Sequence, residues 1–227
     1  MATRPIFVPC AEAPFVKELD VEFRWHSGLA LSQKQKSIDE LHRCAKTSNL
    51  CSRPLEVSSK SPTSIGVNLS AFNLKVQLLN GECVAVENLF QSSKVFEDGG
   101  PYRDLLSVEP REAKRDVRLR TSGALLAFHG RNGVTWPLEP KSLFYDWIYL
   151  NTLKQNPVLA SGLNSFDEFT DIEFNPQKSF SCQARSCAIW VSLVDRGLID
   201  ALDSEATFRD LFLVSGELQT GTQEPLL

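Results

Sequence analysis

The sequence predicts an α+β domain that is mainly helical and carries a small antiparallel sheet. Strand-like patterns lie mostly before residue 86, whereas longer helical patterns dominate after it. Asn80-Gly81 is a strong signal for a two-residue hairpin turn, because both residues tolerate positive φ. Of the 227 residues, 42% are hydrophobic and 23% are charged, which is typical of a globular chain.

Residues 1–60 are predicted to form a strand and a helix that extend from the core and pack on it. The alternation of apolar and polar residues over 19–25 favours a half-buried strand. Ser32 is a candidate cap for a helix that runs to about Lys46. The apolar face of that helix is predicted at Ile38, Leu41 and Ala45.

Residues 61–214 are predicted to form the main domain. The predicted strands cover 65–72, 74–79 and 83–86. The predicted helices cover about 86–96, 110–120, 142–155 and 182–196. Gly, Gln and Thr are frequent after residue 215, so residues 215–227 are expected to be a disordered tail.

The charge and cysteine content narrow the class of protein. A formal net charge of -4 excludes a globally basic nucleic-acid coat, so any contact with nucleic acid must be local. The six cysteines form no Cys-x-x-Cys pair and have no histidine at zinc-like spacing, so we expect free thiols and neither a metal nor a cofactor. We see no secretory signal and no apolar run near the ~20 residues that a bilayer requires, so a cytoplasmic location is expected.

One predicted helix, residues 86–96, carries polar side chains suited to chemistry. Glu87, Gln91 and Lys94 fall on one side of it at i, i+4 and i+7. Glu87 and Lys94 would lie two turns apart, ~10 Å between Cα atoms, so their side chains can converge on a sugar-sized ligand. A solvated polar face is the structural alternative for the same pattern.

These residues also match a known family. Leu69-Ser-Ala-Phe72 and Glu87-Asn-Leu-Phe-Gln-Ser-Ser-Lys94 resemble the Ser-x-Phe and Glu-x-x-Phe-Gln-x-x-Lys motifs of the NADAR family, which includes N-glycosidases that act on riboflavin intermediates. The similarity continues in later helices and covers roughly residues 65–200. More closely still, the whole chain resembles the NADAR subgroup found beside DarT-type toxins, which ADP-ribosylate guanine in DNA.

Two departures from the family pattern concern the leaving-group pocket. Ala71 stands where the family's Ser-Asn-Phe has Asn, and residues 169–175 replace a glycine-flanked Trp segment. Both are compatible with an aglycone other than a riboflavin intermediate, such as a DNA guanine.

The resemblance implies an antitoxin that removes ADP-ribose from guanine bases of DNA. It implies that the Lys94 amine attacks C1 of the ribose and forms a Schiff base, with electrostatic and acid/base assistance from Glu87. A second carboxylate would come from Asp171 or Glu173. Attack requires a neutral amine, and an unperturbed lysine with a pKa of ~10.4 is neutral in only about one molecule in 2,500 at pH 7, so the site must lower the pKa of Lys94.

The ligand-binding residues implied by the resemblance surround these groups. Phe72 is expected to stack on a base, and the basic stretch 111–120 to hold the pyrophosphate or the DNA backbone, although a solvated helix face explains its charges equally well. The full set is Ser70, Phe72, Asn73, Gln91, Arg115, Arg118, Gln183 and Arg185.

The expected partners are ADP-ribose, single-stranded DNA that carries ADP-ribose, and a cognate DarT-type toxin. No membrane partner is expected. Two alternatives stay open. The chain can be an N-glycosidase for a small ribosylated metabolite such as a riboflavin intermediate, or a module that only binds ADP-ribose or the toxin.

Overall fold

The computed structural model describes residues 1–130, 133–177, 179 and 181–217, and it confirms the α+β class. The largest sheet has four strands in the order β2-β1-β9-β3. Its strands are β1 (Ala2–Pro9), β2 (Val16–Phe23), β3 (Pro54–Glu56) and β9 (Glu168–Thr170). Because β3 runs parallel to β9 while β1 is antiparallel to both of its neighbours, this sheet is mixed.

The remaining strands form two small antiparallel sheets. One pairs β4 (Lys75–Gln77) with β5 (Cys83–Ala85), and the other contains β6 (Lys94–Phe96), β7 (Leu125–His129) and β8 (Thr135–Trp136). The α-helices are α1 (Leu31–Thr47), α2 (Ser64–Asn68), α3 (Val86–Ser92), α4 (Pro110–Arg115), α5 (Arg118–Thr121), α6 (Leu143–Lys154), α7 (Pro157–Gly162), α8 (Gln183–Asp195) and α9 (Glu205–Glu217).

The four-stranded sheet separates two apolar clusters. Successive side chains of a strand point to opposite faces, so Ile6 packs on one face with α1, while Phe7 joins the main core with α8 on the other. The predicted apolar face of α1 is confirmed, since Ile38 and Leu41 are fully buried. The carboxyl ends of the parallel strands β3 and β9 meet at one sheet edge, and the segments that follow them form part of a cleft.

The predicted strand at 65–72 is wrong, because this segment contains α2 and then a turn. Thr63 starts α2, since its hydroxyl accepts a hydrogen bond from Gly66 N at 3.3 Å. The following hairpin is present, but Leu78 N bonds Glu82 O at 2.8 Å, and only Gly81 has a positive φ. The connection is therefore a three-residue loop with a left-handed glycine, not the predicted two-residue turn.

Two predicted helices are shorter than expected. Helix α3 ends at Ser92, and Lys94 is the first residue of β6, where it pairs with Phe128. The hydroxyls of Ser92 and Ser93 bond Leu89 O at 3.1 and 2.6 Å, which helps to end the helix. Residues 110–120 are likewise divided into α4 and α5.

Several predictions concern the chain ends and composition. Residues 215–217 belong to α9, and the rest of the predicted tail, 218–227, lies outside the described residues. All six cysteines are free, as predicted. Among the described helices, none is long and apolar enough to cross a membrane. The domain boundary near residue 60 stays a prediction, although β1 and β2 share a sheet with β9.

Candidate active site

A cleft of about 880 Å³ lies between α3, α4 and the segments that follow β3 and β9. This volume is within the range of sites that enclose a ligand the size of a nucleotide, roughly 300–1,000 Å³. Its walls combine carboxylates, cations and aromatic rings. The residues that line it include Ser58, Phe72, Glu87, Phe90, Gln91, Lys94, Arg111, Lys114, Arg115, Arg120, Tyr145, Asp171, Glu173, Phe174 and Gln183.

Glu87 presents a buried carboxylate to the cleft from the first turn of α3. Its main-chain N–H bonds Ala71 O at 2.9 Å, which fixes the start of the helix against the preceding turn. Oε1 accepts a hydrogen bond from Gln91 Nε2 at 2.7 Å, and Oε2 lies 3.4 Å from Lys114 Nζ. The carboxylate is thus held by two neighbours while the cleft remains open to it.

Gln91 contributes a buried polar atom to the cleft. Its amide nitrogen is committed to Glu87, but its Oε1 finds no hydrogen-bond partner among the residues that the structure describes. A buried acceptor left unpaired costs about 1–3 kcal/mol, so a ligand hydroxyl at this position would be favourable.

Lys94 reaches the cleft from the start of β6, not from the predicted helix. Its Nζ lies 4.8 Å from the centre of the Phe90 ring and forms no ion pair within the described part of the chain. Burial lowers the pKa of Lys94 to about 8; Lys114 also lowers it, while Glu87 acts in the opposite direction. An amine with this pKa is neutral in about one molecule in eleven at pH 7.

Asp171 follows β9 and lines the cleft as a second buried carboxyl group. Its Oδ1 accepts hydrogen bonds from Glu173 N at 2.9 Å and Phe174 N at 3.2 Å. Burial, and then the nearby Glu56 carboxylate, raise the pKa of Asp171 to about 8. Glu173 also lines the cleft, but it is more exposed and pairs with Lys34 at 2.9 Å. Of the two carboxyl groups considered above, Asp171 therefore has the environment of an acid.

A cationic wall, defined as Arg111, Lys114, Arg115 and Arg120, lines the same cleft as the carboxylates. Within the described ranges, none of its three arginines has a carboxylate partner. Arg118, in contrast, is held by Asp104 at 2.6 Å and by Asp116 at 2.9 Å. The three arginines of the wall therefore keep their positive charge for an anionic ligand, whereas Lys114 is paired with Glu87.

Aromatic rings line the cleft between these charges. Phe72 is half-buried, with Lys114 Nζ 5.1 Å from its ring centre. Phe90 meets Tyr145 edge-to-face at 5.1 Å between ring centres. Tyr145 and Tyr149 stack, as their spacing suggests, but Tyr149 is fully buried and its hydroxyl bonds Leu69 O at 2.6 Å. Phe72 is thus the more accessible surface for stacking.

The structure brings seven of the predicted site residues to the cleft: Phe72, Glu87, Gln91, Lys94, Arg115, Asp171 and Gln183. Gln183 lines it, but its side chain is engaged with the backbone, because Oε1 accepts from Ala71 N at 2.7 Å and Nε2 donates to Val57 O at 2.6 Å. Its role in this geometry is to join three segments of the wall.

Four predicted ligand-binding residues lie outside the described walls of the cleft. Ser70 is fully buried, and the exposed Asn73 donates to Val67 O at 2.8 Å. Arg118 is neutralised by its two aspartates, and Arg185 is bonded to Asp146, a buried side chain of α6. Local contacts account for Asn73, Arg118 and Arg185 without a ligand, whereas the buried Ser70 hydroxyl has no hydrogen-bond partner among the described residues.

Sequence reasoning missed Lys114 and Glu56 as individual site residues. Lys114 was available as one cation of the 111–120 stretch, and its i, i+3 spacing from Arg111 is the signal that could have selected it. Glu56 carries no local signal, because its importance comes from the parallel pairing of β3 with β9.

The chain is similar to a known protein family over almost its whole length. A family model described as a DarT1-associated NADAR antitoxin matches residues 2–221. This match confirms the predicted resemblance of the whole chain to that subgroup. No curated protein matches the chain.

Proposed function

Because the chain belongs to the DarT1-associated NADAR antitoxin family, we propose that it hydrolyses the N-glycosidic bond between ADP-ribose and guanine bases of DNA and so counteracts a DarT-type toxin. The observation that carries this proposal is the meeting of Glu87, Lys94 and Asp171 in one cleft, where burial lowers the pKa of the amine. A module that only binds ADP-ribose needs no such amine.

The charges and rings of the cleft suit each part of the substrate. The cationic wall can hold the pyrophosphate through charge-assisted hydrogen bonds. The ribose would lie between Glu87 and Lys94, where the unpaired Gln91 Oε1 can accept a hydroxyl hydrogen bond. Phe72 can stack on a splayed base, an interaction worth about 1–3 kcal/mol. A single-stranded substrate needs little unstacking, so this local wall suffices in an acidic protein.

The reaction begins when the neutral Lys94 amine attacks C1 of the ribose. The C1–N bond to guanine breaks, and the electron pair leaves with the base, which takes a proton from Asp171. Glu87 stabilises the positive charge that develops at the sugar ring. The ring then opens to a Schiff base; water adds to it, releases ADP-ribose and the amine, and returns a proton to Asp171. The net change is one water consumed for one guanine restored.

The test is to incubate the protein with ADP-ribosylated single-stranded DNA and to measure the remaining adduct. The wild type should remove it, whereas Lys94→Ala and Glu87→Ala should leave it in place. Lys154→Ala is the matched lysine control, because Lys154 pairs with Asp203 at 2.7 Å outside the cleft. An intact adduct after incubation with folded wild-type protein would refute the proposed reaction.

The binding-only alternative makes a different prediction in cells. If the protein neutralised the toxin by contact alone, Lys94→Ala would still protect cells that express the toxin. The proposed reaction requires that this variant fail to protect while it accumulates to the wild-type level.

A further inference from the structure

Glu56 is a fully buried carboxylate on β3 that the reaction described above does not use. Its Oε2 accepts a hydrogen bond from Thr170 Oγ1 at 2.6 Å, and its Oε1 accepts one from Ile172 N at 2.9 Å. Thr170 and Ile172 are the two residues that flank Asp171. A single carboxylate therefore clamps the chain on both sides of the acid.

Two further contacts complete this arrangement. Ser58, which lines the cleft, donates its hydroxyl to Glu56 Oε1 at 2.6 Å. On the other side, His42 Nε2 lies 2.9 Å from Thr170 Oγ1. Since the Thr170 hydroxyl donates to Glu56, the histidine must donate to Thr170, and burial lowers the pKa of His42 to about 4, which keeps the ring neutral.

Burial raises the pKa of Glu56, but its three hydrogen-bond donors lower it and so favour the ionised form of Glu56 over that of its neighbour. Charge-assisted hydrogen bonds to a buried carboxylate are stronger than neutral ones, and Glu56 accepts them on both oxygens. Asp171 accepts only main-chain bonds on Oδ1, and no described residue bonds its Oδ2. Two close carboxylates cannot both ionise easily, so a shared proton belongs on Asp171.

We propose that Glu56 is the positioning residue of the site: it fixes Asp171 at the cleft wall and, by its own charge, keeps Asp171 in the acid form that protonates the leaving guanine. This inference rests on the proposed glycohydrolase reaction. It adds a group from the first 60 residues, outside the segment that carries the motifs, and so makes the N-terminal part of the chain a contributor to the chemistry.

The other groups that face this pair come from every element packed around it. Glu173 opposes ionisation of both carboxyl groups, while Lys114 favours ionisation of Asp171. Three groups that are neutral at pH 7 also face Asp171: Tyr145 of α6, Cys182 before α8 and Cys187 within α8. Removing the charge of Glu56 is therefore the change that alters the protonation of Asp171 most directly.

The experiment is a carbon-13 NMR titration of the aspartate carboxyl groups in the full chain, with Asp171→Asn to identify the signal. Glu56→Gln removes the charge and keeps the shape, so the titration midpoint of Asp171 should fall by about one pH unit or more. Ser58→Ala removes one donor to Glu56 and should give a smaller fall. Glu168→Gln is the matched control, because Glu168 is also a buried carboxylate of this sheet, on β9, but does not line the cleft.

An unchanged midpoint in folded Glu56→Gln protein would overturn the proposal, as would an equal fall in Glu168→Gln. Should Glu56→Gln not fold, Ser58→Ala decides, and an unchanged midpoint there overturns the proposal as well. The titration needs no substrate, so its outcome is separate from that of the adduct assay. With an active enzyme, the alkaline limb of the pH–rate profile should move to lower pH in Glu56→Gln, which a merely structural residue would not cause.

Discussion

The lowered pKa of Lys94 predicts that its amine reacts with an acylating reagent at a pH where ordinary lysines do not. With a pKa of about 8, about one amine in eleven is neutral at pH 7, against about one in 2,500 for an unperturbed lysine. The neutral fraction is therefore roughly 200-fold larger.

The assay is trace acylation with acetic anhydride from pH 6 to pH 12, with the modified peptides quantified by mass spectrometry. Labelling of Lys94 should rise with a midpoint near pH 8, whereas the same peptide in urea-unfolded protein should rise near the unperturbed value of ~10.4. A midpoint of ~10.4 in the folded protein would show that burial does not lower the pKa of Lys94, and the prediction would then be wrong.

Two substitutions should move this midpoint in opposite directions. Glu87→Gln removes a carboxylate that raises the pKa of Lys94, so the midpoint should fall. Lys114→Gln removes a like charge that lowers it, so the midpoint should rise. Lys154→Gln, outside the cleft, should leave it unchanged. Shifts in the same direction for both cleft variants would indicate a general change of structure in place of the proposed electrostatics.

Three further predictions concern binding and stability. Arg115→Gln should weaken ADP-ribose binding in calorimetry by about tenfold or more, whereas Arg118→Gln, whose cation is already neutralised, should change it little. Tyr149→Phe should lower the free energy of unfolding in urea by about 1–3 kcal/mol, because the buried Leu69 carbonyl loses its 2.6 Å donor. Folded Asp171 retains its proton up to about pH 8 while the unfolded chain loses it near pH 4, so stability should fall across this window. Asp171→Asn should therefore be more stable than the wild type at pH 8 by at least about 1 kcal/mol in urea unfolding, and this gain should vanish below pH 4.

Elements with long, local signals could be predicted from the sequence. Helix α1 could be located because it buries one face that repeats along its own chain. Helix α6 is buried almost all round, and Pro140 and Pro157 give its position to within a few residues. Segments whose state depends on distant partners could not be predicted this way. Lys94 continues a helical pattern, yet pairing with Phe128 makes it a strand residue.

The residues of the site show the same difference between local signals and contacts with distant parts of the chain. Glu87 and Gln91 lie one turn apart on α3 and bond each other as their spacing suggests. Lys94 lies on strand β6 and not on a helix with Glu87. The two side chains still line the same cleft, as predicted, but helical spacing is not the reason. Arg118 shows the opposite case, because its tight pairing with Asp116 leaves its cation no role at the cleft. Composition cannot separate a free arginine from a paired one.

Borohydride trapping tests directly whether the Lys94 amine bonds to C1 of the ribose. The protein is mixed with ADP-ribosylated single-stranded DNA, reduced with borohydride, digested and mapped by mass spectrometry. The expected result is an ADP-ribose-derived adduct on Lys94 that is absent without borohydride and absent in Lys94→Ala. Loss of the DNA adduct by the wild type with no trapped sugar on Lys94, or with the sugar on another residue, would contradict it.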